Sequence, residues 1–215
     1  MSRLWMCLLA LGAVLATGCG GALPKMHYYM LNLPAAPAPA PASGAPYAVA
    51  VMPFRVPDYL QQDRLAFRPS AVEVDFYEYH RWAQRPAAML TEALVQRLRS
   101  RGVFSTVLVF DGRTRTDYLL RGRLNRLEEI DENGSVSVLV ELSADMLDLK
   151  ANRTVWSGAA AQSGTVSQGE VSDVVTALGQ AAGASLDQIT TGLEGFAKGL
   201  PPASGAAGGG TAARP

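Results

Sequence analysis

The sequence predicts an α+β fold, an antiparallel or mixed sheet packed against two helices, one mid-chain and one long and C-terminal. Two stretches of helical periodicity and a series of segments with two-residue alternation carry that prediction. Composition permits it: 215 residues, 48% hydrophobic and 18% charged, suffice for one globular domain with a sizeable core. Acidic and basic side chains balance at 19 each. That balance lacks the basic excess that phosphate-backbone binding needs, so no nucleic-acid partner is expected. There is no run of five like charges that would mark an interaction tail.

The elements follow in order. Residues 27–33, from His27-Tyr28-Tyr29 to Leu33, form an apolar-aromatic strand candidate. Residues 34–46 contain only Pro, Ala, Ser and Gly, cannot build a core, and are expected as an extended linker. Residues 47–56 read as a second strand, punctuated by Pro57-Asp58. Residues 65–68 and 71–79 read as two more; in the latter Val72, Val74 and Phe76 alternate with Glu73, Asp75 and Tyr77. The first helix opens at Pro86, whose missing N–H costs nothing in a first turn. It aligns Leu90, Leu94 and Leu98 on one face and stops at Gly102. Arg97, Arg99 and Arg101 complement its C-terminal dipole and are expected on a solvated face. A strand at 106–110 leads to a meander at 118–128, 135–149 and 154–163. Asn133-Gly134 and residues 150–152 supply its turns. Glu128 and Glu129, adjacent on a strand, point to opposite faces.

The last helix is signalled by a capping box, Ser167 with Glu170, and by apolar residues in helical register from Val171 to Phe196. It extends to Leu200, before Pro201-Pro202. Its Gly179, Gly183, Gly192 and Gly195 each cost about 1 kcal/mol relative to Ala if exposed, so they imply either close packing onto the sheet or fraying. The Gly- and Ala-rich tail, 201–215, is expected to be disordered.

The first twenty residues carry a targeting signal. Arg3 precedes a charge-free apolar stretch over 4–15, shorter than the roughly 20 residues of a spanning helix. Ala16-Thr17-Gly18-Cys19 then resembles a lipobox, where lipoprotein signal peptidase cuts and diacylglycerol is attached to the cysteine. Leu usually stands three places before that cysteine; here it is Ala16, with Leu15 one place further out. The only other cysteine, Cys7, falls in the removed segment, so acylation accounts for a single mature thiol. Gly20 stands where enterobacterial lipoproteins retained at the inner membrane carry Asp. That likeness implies the inner leaflet of the outer membrane, facing the periplasm. The expected organisation is a signal peptide over 1–18, a tether over 19–26, a domain over 27–200 and the tail. The only group expected on the chain is the acyl lipid on Cys19.

No catalytic constellation stands out. His27 and His80 are the only histidines, too few for a zinc signature, and no nucleophile elbow or phosphate loop occurs. The chain is therefore expected to be neither an enzyme nor a metal or cofactor protein. Two aromatic constellations remain, Pro57-Asp58-Tyr59-Leu60 and 76–82, which ends His80-Arg81-Trp82. On one reading Trp82 packs beneath the first helix and Tyr59 covers a sheet edge. On the other, Tyr59, Leu60, Arg81 and Trp82 form a docking surface, because Tyr, Trp and Arg dominate binding hot spots.

These residues also carry a resemblance. Tyr28-Tyr29-x-Leu31 after a lipobox, Val49-x-Val51 leading to Pro57-Asp58-Tyr59-Leu60, then Arg64 to Arg68, Glu73 and His80-Arg81-Trp82-Ala83 are similar to the ABC-type transport auxiliary lipoprotein family. The likeness spans roughly 28–189. It implies a non-catalytic lipoprotein partnering a mammalian-cell-entry (MCE) type ABC system that moves lipid between the two membranes. The partners so implied are the membrane, through the anchor, and the MCE-domain protein, with homo-oligomerisation left open. A lipid carrier with its own apolar cavity, or a structural envelope lipoprotein, are the alternatives. If Cys19 is the acylated residue, Cys19→Ala abolishes incorporation of a palmitate analogue and leaves the precursor uncut, which metabolic labelling and gel mobility will show.

Overall fold

A computed structural model describes residues 24–36, 44–132, 134–166 and 170–201. Eight strands form one mixed sheet: β1 (His27–Tyr29), β2 (Ala45–Arg55), β3 (Arg64–Ser70), β4 (Glu73–Trp82), β5 (Phe104–Val109), β6 (Tyr118–Glu132), β7 (Ser135–Asp148) and β8 (Arg153–Thr165). The helices are α1 (Pro86–Ser100) and α2 (Val171–Lys198), and a short 3-10 turn occupies Asp58–Leu60. The α+β class expected from the sequence is the one observed.

The fifteen-residue β6 is the trunk of the sheet. Along one edge it pairs antiparallel with β7 over its whole length. Its other edge is divided: β2 lies parallel to its first half and β3 parallel to its second. The sheet therefore forks, with β5 beyond β2 on one arm and β4 and then β1 beyond β3 on the other. A bulge between Leu124 and Arg126 marks the fork. Before it, Leu120 and Leu124 face the helices and are fully buried. After it the inward positions become Leu127 and Glu129, opposite the buried Val140 and Val138. One extra residue reverses which parity points inward.

Both helices cover the same face. α1 packs on β2 and β5, and α2 on β7 and β8. Alternation in β7 is as predicted, with Val138, Val140, Leu142, Ala144 and Met146 buried against the helices. Pro86 opens α1, and Gly102 follows it with φ +58°. The Phe54 N–H donates to Thr91 Oγ1 at 3.0 Å, which ties β2 to α1.

Several local expectations change. The first strand stops at Tyr29 because β4 ends beside it at Trp82; the Ala83 N–H gives Tyr29 O the final bond, at 2.7 Å. The chain then leaves the sheet as a strap across the helices, burying Leu31 in the core. The anticipated linker is shorter than 34–46: Pro34 packs on α2, and Ala45-Pro46 already belong to β2. Ala71 and Val72 form the β3–β4 turn and are not strand, with Val72 95% exposed. The strands predicted at 118–128 and 106–110 begin or end two to four residues away, at Glu132 and Phe104. α2 begins at Val171 with Glu170 as N-cap and no side-chain cap bond; Ser167 and Asn133 lie outside the described residues, as do the signal peptide, Cys19 and 202–215.

Arg99 is exposed, as expected of a solvated face, but Arg97 and Arg101 form a clasp instead. Arg97 is only 2% exposed and donates to Pro34 O at 3.0 Å and to Asp187 of α2 at 3.3 Å. Arg101 donates to Asp187 at 2.8 Å and Thr191 at 3.0 Å, and Arg99 to Val107 O at 2.8 Å. Buried, charge-assisted bonds of this kind fix one arrangement of the two helices and strap, because an unpaired guanidinium there would be costly.

The glycines of α2 now divide by role. A Cβ on Gly179 would lie 2.6 Å from Asn32 O, and one on Gly183 would lie 2.6 Å from the Pro34 ring. Both make room for the strap, while Gly192 makes room for Trp156 of β8. Gly195 has nothing within 4 Å. Gly179→Ala should therefore lower stability by about 1–3 kcal/mol through overpacking against backbone. Gly195→Ala should raise it by up to about 1 kcal/mol through helix propensity. Thermal or urea denaturation of the two variants checks both signs.

Candidate functional site

Of the four residues proposed for docking, Trp82 does not reach the surface. It is 6% exposed and belongs to the core, as the packing alternative held. By strand alternation Arg81 points to the opposite side, where Nη1 pairs with Asp63 Oδ1 at 2.7 Å. Tyr59 lies half-buried over the bulge of β6, its hydroxyl donating to Asn125 O at 3.4 Å. Burial raises its phenol pKa, Glu128 adds to the rise, and Arg68 opposes it. Leu60, half-buried, faces a groove beside the start of α1. Tyr59 and Arg81 are thus available on the surface away from the helices, Leu60 lines a groove, and Trp82 is structural.

Two polar groups near the fork had no signal beyond alternation. Glu128 is fully buried, yet two arginines meet it: Arg68 Nε at 2.6 Å and Arg126 Nε. Arg126 also approaches Glu141 at 3.8 Å, so the cluster joins β3, β6 and β7. Glu129 faces the other way, as alternation requires, and accepts a bond from the Tyr77 hydroxyl at 2.8 Å. Burial raises the Glu129 pKa, the Tyr77 bond opposes the rise, and Asp131 adds to it. The Tyr77 phenol is raised as well, by burial and then by the bond to Glu129.

Beside this pair, the β1–β4 edge is built from rings. His27 and His80 are cross-strand neighbours and stack with centroids 5.2 Å apart. Tyr29 OH bonds His80 Nδ1 at 2.9 Å, and Tyr77 meets the same ring edge-on at 5.3 Å. Burial, and then His27, lower the His80 pKa. These contacts hold the strap to the sheet at its first residues.

The chemistry this permits is limited. The buried carboxylates Glu128 and Glu129 are engaged by arginines and by a phenol. Among the described residues no group of three or more His, Cys, Asp or Glu side chains is placed to hold a metal ion. Fully buried leucines, among them Leu90, Leu94, Leu98, Leu178, Leu186 and Leu193, fill the space under the helices. Clefts of about 460, 420 and 440 Å³ lie elsewhere, and none is lined by those leucines. No described helix is long and apolar enough to cross a membrane.

A strapped sheet with two helices on one face describes an α+β domain organised around its N-terminal attachment. The sequence profile of the ABC-type transport auxiliary lipoprotein components matches residues 29–190, and the chain belongs to that family. Among solved structures it is similar to a Xanthomonas campestris protein of the family DUF330, at 21% identity and a TM-score of 0.67. That match covers 79% of this chain and 96% of the other. A second, described only as an uncharacterized protein, is 16% identical with a TM-score of 0.60, covering 78% and 98%. At these identities the likeness shows the fold. No curated protein matches the chain.

The buried Glu129 generates a pH prediction. Its raised folded-state pKa means that the folded protein prefers the protonated carboxyl. The stability this adds is complete below the unfolded pKa and is lost as pH rises through the folded pKa. Glu129→Gln keeps an acceptor for Tyr77 without the buried charge. Its thermal midpoint should exceed the wild type's at pH 7, and the difference should shrink towards pH 4; melts across that range measure it.

Proposed function

We propose that the chain is a non-catalytic, lipid-anchored periplasmic component of an MCE-type ABC system that moves lipid between the two membranes. It is cut before Cys19, acylated there, and held on the inner leaflet of the outer membrane. Family membership supplies the auxiliary-lipoprotein part of this reading. The strap supports one further part of it, the closeness of the domain to its anchor. Residues 27–34 are built into the domain, so only the few residues after Cys19 separate it from its lipid, a reach of about 25 Å. The domain is thereby held close to the membrane, where it receives the MCE protein that spans towards it.

Docking falls to surface aromatic and arginine side chains, and Tyr59 with Arg81, each half-buried, are the candidates that still reach the surface. Tyr59→Ala should weaken capture of the MCE protein about thirtyfold, the effect of losing a hot spot worth about 2 kcal/mol, with little change in thermal midpoint. Trp82→Ala should instead cost about 3–5 kcal/mol of stability. Affinity capture with the MCE protein, paired with melts of both variants and membrane fractionation of the wild type, tests the reading. Normal binding by folded Tyr59→Ala would remove Tyr59 from the interface, and recovery of the chain in the inner membrane would overturn the location.

A further inference from the structure

Both helices cover one face of the sheet and leave most of the other face open. In the first half of β6, Leu120, Gly122 and Leu124 are buried towards the helices, so Arg121 and Arg123 alternate onto the open face, both exposed. The bulge in β2 brings Arg55 level with Arg123 on the adjacent strand, while Phe54 before it joins the core. Arg55 is exposed as well, and none of the three forms an ion pair or side-chain hydrogen bond with another described residue.

Neighbouring carboxylates do not neutralise them. Asp145, opposite Arg121 on β7, accepts from Ser157 Oγ at 2.7 Å and makes no ion pair with that arginine. Arg123 faces Ser143 across the same ladder. Glu141 is met by Arg126 at 3.8 Å, and Glu128 by Arg126 and Arg68. Like charges side by side on adjacent strands repel, so Arg55 beside Arg123 works against folding and serves no packing of the domain.

The connection from β5 to β6 adds to the same charge. These strands pair with opposite edges of β2, so residues 110–117 cross β2, and α1 fills its helix side. Ala50 points away from the core residues Val49 and Val51, yet is only 1% exposed, which places the crossing over it on the open face. Arg113 and Arg115 of that crossing are exposed and unpaired among the described residues. Its Asp111 is turned back onto the Arg113 and Thr114 N–H groups, each at 2.8 Å. Phe110, where the crossing starts, is 42% exposed, and Met52 beside Arg121 is half-buried. This arm of the open face therefore interleaves arginine with apolar side chains.

We propose that it is a membrane-contact surface, on which Arg55, Arg121 and Arg123, with Arg113 and Arg115 beside them, meet the phosphates of anionic lipid headgroups. Arginine suits that ligand because its planar fork donates two parallel bonds to a phosphate. Apolar side chains between the charges fit the boundary beneath the headgroups. The proposal rests on the lipid-anchored reading for its geometry. The leash ends at His27, on an edge of the same sheet, so a domain held within about 25 Å of the bilayer can lay this face against it. Tethering raises the effective concentration of headgroups, so weak contacts suffice to set an orientation. Tyr59 and Arg81, the candidates for partner capture, belong to the bulge and to the other arm and lie outside the patch.

The test uses the mature, acylated chain in vesicles of phosphatidylcholine, alone or mixed with phosphatidylglycerol. In that form Cys19 is acylated and Cys7 has been removed, so an introduced cysteine can be labelled alone. Ala159→Cys reports the open face, where it is exposed across β7 from Arg123, and Gln96→Cys reports the helix side from α1. A fluorophore on each thiol, with a quencher on the lipid headgroups, reads which side meets the bilayer. Quenching at 159 should exceed that at 96 only where phosphatidylglycerol is present, and the excess should fall as salt rises. Arg55→Gln, Arg121→Gln and Arg123→Gln combined should abolish it, since each charge near an anionic surface is worth about fivefold and three shift the orientation about a hundredfold. Lys at the same positions should weaken it only in part. Melts should show the Gln variant at least as stable as wild type, because a repulsive pair is gone. Equal quenching on both sides, indifference to phosphatidylglycerol, or a Gln variant quenched like wild type would each overturn the proposal. If wild type favours neither side and the Gln variant loses MCE capture, the patch serves an acidic protein surface, and the transport reading survives without this one. If the chain takes up no palmitate analogue, the anchor is what fails. Cosedimentation of the unacylated chain with the same vesicles then judges the patch: wild type should bind only with phosphatidylglycerol present and the Gln variant not at all, and any other result removes it.

Discussion

The divided edge of β6 is the constraint on which the remaining structure depends. One strand cannot give the same edge to two neighbours at the same level, so β2 takes its first half and β3 its second. The bulge at Asn125 lets the strand change phase between them. The arm of β2 and β5 carries α1, and the arm of β3, β4 and β1 carries the N-terminal segment. Glu128 sits just past the bulge, where Arg68 of β3 and Arg126 of β6 itself meet it and tie that arm to the trunk. A lone carboxylate at 0% exposure would be strongly disfavoured, so the cluster holds as a unit.

The meander and both helices were legible because their signals are local. Alternation in β7 and the leucine register in α1 express a single buried face, which a window of ten residues displays. The strap was not legible, because Asn32 and Pro34 lie against α2 only where Gly179 and Gly183, about 150 positions away, leave room for them. The four glycines could be seen to require an explanation; which element came close to them could not. Arg97 illustrates the same limit. Three arginines in a last turn satisfy the dipole rule, and only the folded contacts make one of them a clasp to Pro34.

The candidate docking residues divided along a simple physical line. Arg81 and Trp82 are neighbours in a strand, so the same alternation that buries one turns the other outward. A cluster of aromatic and arginine residues in sequence is therefore not a patch in space. Val72 shows the converse. Placed within an alternating segment it reads as an inward position, but the turn at Ala71-Val72 lifts it clear of the sheet.

The strap also determines how the domain bears tension. Any pull on the chain ahead of β1 enters the fold at His27, on the sheet edge, and passes through Leu31 and Pro34 into α1 and α2. β1 runs parallel to β4, so a pull along the strand loads its few hydrogen bonds and the buried Leu31 side chain together. A pull across the strand peels them singly, starting at the paired histidine rings. The domain is therefore a directional fastening: its grip on the segment ahead of β1 depends on the angle of the pull. A partner that tilts it could change how firmly it holds without touching the strap.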